Sequence, residues 1–141
     1  MPLQRHEQLT STLHLLTGHA SRAGLAAIRP AAPASALIAG RVRDRLHDGS
    51  ADPLTAADLA VAAGCSRYAA FRAFTAVYGL APSDYQRQLR LRAARTLLTG
   101  GASAAEAAAS AGFADQAHLT RWFRRYYGVT PGVYRQAVGR R

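Results

Sequence analysis

The chain has 141 residues, enough for one domain or for two small subdomains on a shared scaffold. An apolar fraction of 49% excludes a disordered polymer, no run approaches the ~18 apolar residues of a membrane span, and a single cysteine excludes an internal disulfide. The net charge is +10 and all eighteen basic residues are arginine; residues 1–60 carry six Arg and five acids, whereas residues 61–141 carry twelve Arg and only Asp84, Glu106 and Asp115. A compact second half of that sign attracts polyanions, with nucleic acid the first candidate and an anionic membrane surface the second.

Alternating β-branched or aromatic runs are missing and Ala, Leu and Arg dominate, so the expectation is an all-α chain. Residues 3–17 carry Leu9, Leu13 and Leu16 on one stripe, closed by Gly18, and predict an N-terminal helical extension. Residues 24–33 are rich in Ala and Pro and read as a linker. Ser35–His47 predicts a helix with Ile38, Val42 and Leu46 on one face, followed by the turn cluster DGSADP. Thr55 with Asp58 forms a capping-box pattern for a helix ending at Ala63 before Gly64. Ser66 caps a helix to Tyr78, stopped by Gly79. Pro82 opens a long helix to Leu98, with Ala81 where a capping side chain would sit. Ser103 starts an Ala-rich helix to Ala111, a further helix runs from about Asp115 to Tyr127, and Thr130-Pro131 caps a last short one.

The chain repeats itself. Residues 58–85, DLAVAAGCSRYAAFRAFTAVYGLAPSDY, match residues 106–134, EAAASAGFADQAHLTRWFRRYYGVTPGVY, element for element, with one extra residue between the glycines of the second copy. Helix, glycine turn, helix is the layout of a helix-turn-helix. On a helical wheel Ala70, Ala73, Phe74 and Val77 share one side of the first long helix, and Tyr68, Phe71, Arg72 and Thr75 the other. In the second copy Leu119, Trp122, Phe123 and Tyr126 form the apolar side, while Ala117, Thr120, Arg121 and Arg124 form the outer one, so that Arg72 matches Arg121. An arginine central on an outward helix face suits the major groove, where its fork reaches guanine O6 and N7 together.

The segments GCSRYAAFRAF (64–74), PSDYQRQLRLRAA (82–94) and GFADQAHLTRWFRRYYGVTP (112–131) resemble the DNA-binding domain of AraC/XylS-type transcriptional regulators, from about Ser35 to Gln136. The resemblance implies a sequence-specific regulator of bacterial, cytoplasmic origin with double-stranded DNA and RNA polymerase as partners. It also implies two helix-turn-helix motifs, at about 54–79 and 103–128, joined by the helix 82–98 within a domain spanning 34–138. Carried over, the groove-facing residues are Tyr68, Phe71 and Arg72 in the first motif, and Gln116, Ala117, Thr120 and Arg121 in the second. Thr75 and Arg124 continue those faces. Phe71 and Ala117 would meet thymine methyls rather than polar base edges. Seventeen helical residues span about 25 Å, which suits two recognition helices about one DNA turn, ~34 Å, apart.

Other residues read more plainly. The five histidines lack ligand spacing, no metal or other cofactor is expected, and no acid pair, nucleophile triad or phosphate loop argues for an enzyme. Cys65 reads as core filler. Arg87, Arg90, Arg92 and Arg95 are expected to offset phosphate charge or, for at least two of them, to stay solvated. Trp122 and Phe123 are expected to carry most of the second motif's core, facing the small Ala104, Ala107 and Ala111. The 1–33 region resembles the closing helix of a sensor domain, so the chain reads as part of a longer regulator. A weak homodimer through residues 3–17 would follow, or else a helix folded back on the bundle. The rival reading is a helical adaptor that uses the same fold to hold another protein.

Overall fold

The computed structural model describes residues 32–140, which form seven helices and no strand. They are α1 (Pro33–Asp48), α2 (Ala56–Ala63), α3 (Arg67–Tyr78), α4 (Pro82–Thr99), α5 (Ala104–Ala111), α6 (Gln116–Tyr127) and α7 (Pro131–Gly139). The helix expected at 3–17, and all but the last two residues of the 24–33 linker, lie outside the described residues; Pro33 already belongs to α1.

Local chemistry sets the boundaries. Thr55 and Asp58, and Ser103 and Glu106, close reciprocal capping boxes at the starts of α2 and α5. Ser66, Asp115 and Thr130 each accept a backbone N–H from the first turn of α3, α6 and α7. Gly64, Gly79, Gly112 and Gly128 end α2, α3, α5 and α6 in the left-handed region, where a side chain would be strained. At Ala81 no side chain caps α4, and Pro82 supplies the first turn instead.

Two cores result. Val42 and Leu46 of α1, Leu59 and Ala63 of α2, and Ala70 and Phe74 of α3 form the first; Tyr78, Tyr85, Leu89 and Cys65 pack partly buried against it. The second joins Leu91, Ala94 and Leu98 of α4 to Ala107, Ala108 and Ala111 of α5, with Phe113, Leu119, Phe123, Tyr127 and Tyr134. So α4 closes the first core with its N-terminal half and opens the second with its C-terminal half.

The repeat therefore reaches further back than its sequence shows. Ala39, Val42 and Leu46 are buried on α1 with the same spacing as Leu91, Ala94 and Leu98 on α4. The tyrosines of the matching Pro-x-x-Tyr segments also do the same work: the Tyr85 hydroxyl meets His47 Nε2 at 2.7 Å at the end of α1, and the Tyr134 hydroxyl meets Thr99 Oγ1 at 3.0 Å at the end of α4.

Three expectations about packing need correction. Val77 lies on the apolar side of the wheel but is 40% exposed, one residue before α3 ends. Trp122 and Tyr126 are half-buried, not core. The buried stripe of α6 is Leu119, Phe123 and Tyr127, at strict four-residue steps, with ring centroids 4.6 Å apart for Phe123–Tyr127 and 5.6 Å for Phe123–Tyr134. Aromatic volume from α6, α7 and Phe113 thus fills the space that the alanines of α5 leave.

Arg87 and Arg90 are half-buried and engage protein groups. Arg87 pairs with Asp84 at 2.9 Å and lays its guanidinium 3.7 Å over the ring of Trp122 at the edge of the core. Arg90 donates to two backbone carbonyls of the loop after α1, Ser50 O at 2.6 Å and Asp52 O at 2.7 Å. Arg92 is exposed, and Arg95 lies 5.4 Å from the Tyr127 ring.

Two stability outcomes follow. Phe123 is fully buried; Phe123→Ala should cost about 3–5 kcal/mol and Trp122→Ala clearly less, read from urea midpoints. Burial pushes the Tyr127 hydroxyl up to about 12, with Arg95 acting against it. Unfolded tyrosine ionises near about 10, so between those values the unfolded chain gives up its proton first and stability falls as pH rises. The stability present below pH 10 should drop by at most about 2 kcal/mol toward pH 12. Tyr127→Phe should flatten that part of the curve, measured as the urea midpoint at a series of pH values from 9 to 11.5.

Candidate nucleic-acid interface

The outward faces of α3 and α6 carry the residues that the repeat aligns. On α3, Ser66 holds the first turn by accepting Ala69 N–H at 3.1 Å, and the burial of Ala70, Ala73 and Phe74 turns the opposite side to solvent. Tyr68 is 68% and Phe71 50% exposed, an unusual display of aromatic surface for a charged chain. Arg72 is exposed beside them, its guanidinium 5.4 Å from the Tyr68 ring centroid, a loose stacking that limits the arginine's rotamers.

Thr75 departs from the sequence reading. The wheel places it beside Tyr68 and Arg72, yet its Oγ1 is sealed from solvent with no hydrogen-bond partner among the described residues. It lies in the last turn of α3, where Gly79 N–H returns to the Thr75 carbonyl at 2.8 Å and the chain reverses into α4. A wheel treats each helix as isolated and takes no account of that reversal.

On α6, Asp115 accepts His118 N–H at 2.7 Å, and the buried stripe fixes the helix about its axis. Gln116, Ala117, Thr120, Arg121 and Arg124 then line one shallow open depression, together with Arg125. Gln116, Ala117, Arg121 and Arg124 are exposed and Thr120 is half-buried. Sequence reasoning left out Arg125, whose guanidinium sits 5.3 Å from the Trp122 ring, and Arg67, exposed in the first turn of α3. The signal for both was present: each is an arginine one helical position from the assigned face, with no acid nearby in sequence.

The electrostatics of the two faces are one-sided. Neither α3 nor α6 contains an acidic residue. Among the described residues the only ion pairs are Arg43–Asp44 and Arg87–Asp84, so Arg72, Arg121, Arg124 and Arg125 have no carboxylate partner there. Cations left unpaired on an exposed helix face are available to an external anion. Within the same residues no group of three or more His, Cys, Asp or Glu converges as a metal site would require, and no helix is long and apolar enough to cross a membrane.

Two helix-turn-helix motifs sharing one connecting helix define a class of double helix-turn-helix domains. Residues 59–137 match a helix-turn-helix domain family, and the chain belongs to that family of AraC-type regulators. It is 38% identical over 100 residues to the transcriptional activator NphR of a Rhodococcus species, covering 70% of this chain and 29% of that protein. It is 32% identical over 135 residues to an AraC-like transcription regulator of Streptomyces lividans, covering 95% of this chain and 44% of the relative. The chain thus spans less than half the length of these relatives. In structure it resembles the DNA-binding domain of the global transcriptional factor AdpA, solved in complex with a target DNA; the TM-score is 0.67 and the identity 30%, over 73% of this chain and 95% of the AdpA domain.

Arg121 stands at the centre of the α6 face. Arg121→Ala should lower affinity for a selected DNA site by about 1–3 kcal/mol and relax preference at one base pair, while binding to random DNA changes little. Titrations against both DNAs check this; equal losses on the two would make Arg121 a phosphate contact.

Proposed function

We propose that this chain is the DNA-binding part of a bacterial transcription regulator, and that it reads double-stranded DNA with α3 and α6 in successive major grooves. The observation that carries the reading is the doubled outward face. Arg72 and Arg121 occupy matching places on two capped helices, free of acids, in a fold shared with a domain solved on its target DNA.

The two faces would read differently. On α6, Gln116 and Arg121 are suited to hydrogen-bond purine edges, and Arg124 and Arg125 to meet phosphates. On α3, Tyr68 and Phe71 offer apolar contact to thymine methyls beside a single Arg72. Thr75 drops out of the reading set because its hydroxyl is turned inward. As part of a longer regulator the unit would act in the cytoplasm on RNA polymerase, and residues 3–17 would supply a weak homodimer contact.

Binding to random duplex DNA should weaken steeply with salt, since several phosphate contacts release several counterions. Selection from a random duplex pool should then enrich one bipartite site with two half-sites about 10 base pairs apart. A flat salt dependence with no retained DNA at low salt would sink this reading and favour the helical adaptor.

A further inference from the structure

The two copies of the repeat differ most in one place. Seven residues, 49–55, join α1 to α2, whereas four, 100–103, join α4 to α5. The helices and glycine turns around these loops match closely, so the longer loop is an addition to the first copy rather than a general loosening of it. Two of its carbonyls are taken up by α4. Arg90 Nε donates to Ser50 O at 2.6 Å, Arg90 Nη2 to Asp52 O at 2.7 Å, and Gln86 Nε2 to Asp52 O at 3.0 Å. Gln86 is the one buried polar side chain among the described residues, and Arg90 is half-buried.

The far side of the same loop meets the second motif. Gly112 ends α5 in the turn that leads to α6, with φ +92. A Cβ there would stand 2.5 Å from the Ala51 carbonyl oxygen and 2.7 Å from its Cα, so only glycine admits this backbone-to-backbone approach. The loop of the first motif is therefore held between the middle of α4 and the turn of the second motif. A planar guanidinium suits the holding role, because its fork reaches two carbonyls at once. Two of the five N–H donors of Arg90 are thereby spent inside the protein.

We propose that Arg90, with Gln86 and the close approach at Gly112, is a positioning device that fixes the angle and separation of the two recognition helices, and so selects the spacing between DNA half-sites. This rests on the DNA-binding reading above. One inserted base pair moves a half-site by about 3.4 Å and turns it by about a tenth of a helical turn. A rigid pair of helices cannot follow both changes; a pair hinged only at α4 can.

The test takes the bipartite site enriched by the wild-type chain from a random duplex pool and shortens or lengthens its spacer by one base pair. The wild-type protein should lose about tenfold or more in affinity at either altered spacing, the size of a mismatch penalty. Arg90→Met, which keeps the stem and removes the donors, should bind the three spacings within about threefold of one another, and Arg90→Lys should fall between. Circular dichroism verifies that each variant is folded; if Arg90→Met is not, Gln86→Met takes its place. A folded variant that keeps the wild-type spacing profile, whatever its overall affinity, would overturn the proposal.

A readout without DNA separates this from the reading it rests on. In a Cys65→Ser background, spin labels at Ala62→Cys on α2 and Ala109→Cys on α5, both exposed, should give one narrow distance distribution. Adding Arg90→Met should broaden it. If the wild type enriches no DNA while the distribution still broadens, the DNA reading fails and the positioning role stands; an unchanged distribution removes the positioning role.

Discussion

A single uninterrupted helix, α4, has to bury two different stripes. Tyr85 and Leu89 face the first core, while Leu91, Ala94 and Leu98 face the second. Because the backbone of a helix turns by 100° per residue and cannot be reset midway, the phase between those stripes sets how the two motifs are disposed. Each motif alone is three helices around a small cluster of large side chains, a core too small to be robust. Sharing α4 gives each motif a fourth wall, and it converts the length of one helix into the distance between two outward faces.

Polar contacts tie that shared helix to both motifs. Arg87 joins α4 to α6 through the Trp122 face, and Arg90 and Gln86 join α4 to the loop after α1. Burial pulls the Arg90 guanidinium below its ordinary pKa, with neighbouring Arg87 adding to the effect and Asp52 opposing it, while two charge-assisted bonds to backbone carbonyls replace part of the lost hydration. Arginines read as surplus positive charge in the sequence thus divide into two populations. Arg87 and Arg90 on α4 engage protein groups, and those on α3 and α6 without carboxylate partners are presented outward.

The cores show how one architecture tolerates unlike contents. The first motif centres on Phe74, flanked by Tyr78 and Tyr85 at ring distances of 4.7 and 5.4 Å. The second has an all-alanine inner face on α5, which lets the helices approach closely, and fills the remainder with Phe113, Phe123, Tyr127 and Tyr134.

Much of this was legible in the chain itself. Ser, Thr and Asp caps and glycine stops act within four residues, so the boundaries of α2, α3, α5 and α6 could be read locally, and the repeat exposed the two-motif plan. The outward places of Tyr68, Phe71, Arg72, Gln116, Ala117, Arg121 and Arg124 were legible for the same reason, because helical periodicity is a local property. What the sequence could not contain is whatever depends on residues far apart in the chain. The partial burial of Trp122 under Arg87, the inward hydroxyl of Thr75, the exposure of Val77 and the engagement of Arg90 with Ser50 and Asp52 are each decided by a neighbour brought in by folding. The equivalence of α1 and α4 was hidden too, since a matched pattern of burial needs only small or aliphatic side chains at three positions, not the same letters. Periodicity determines which way a helix face turns relative to its own axis; only the tertiary structure decides what that face meets.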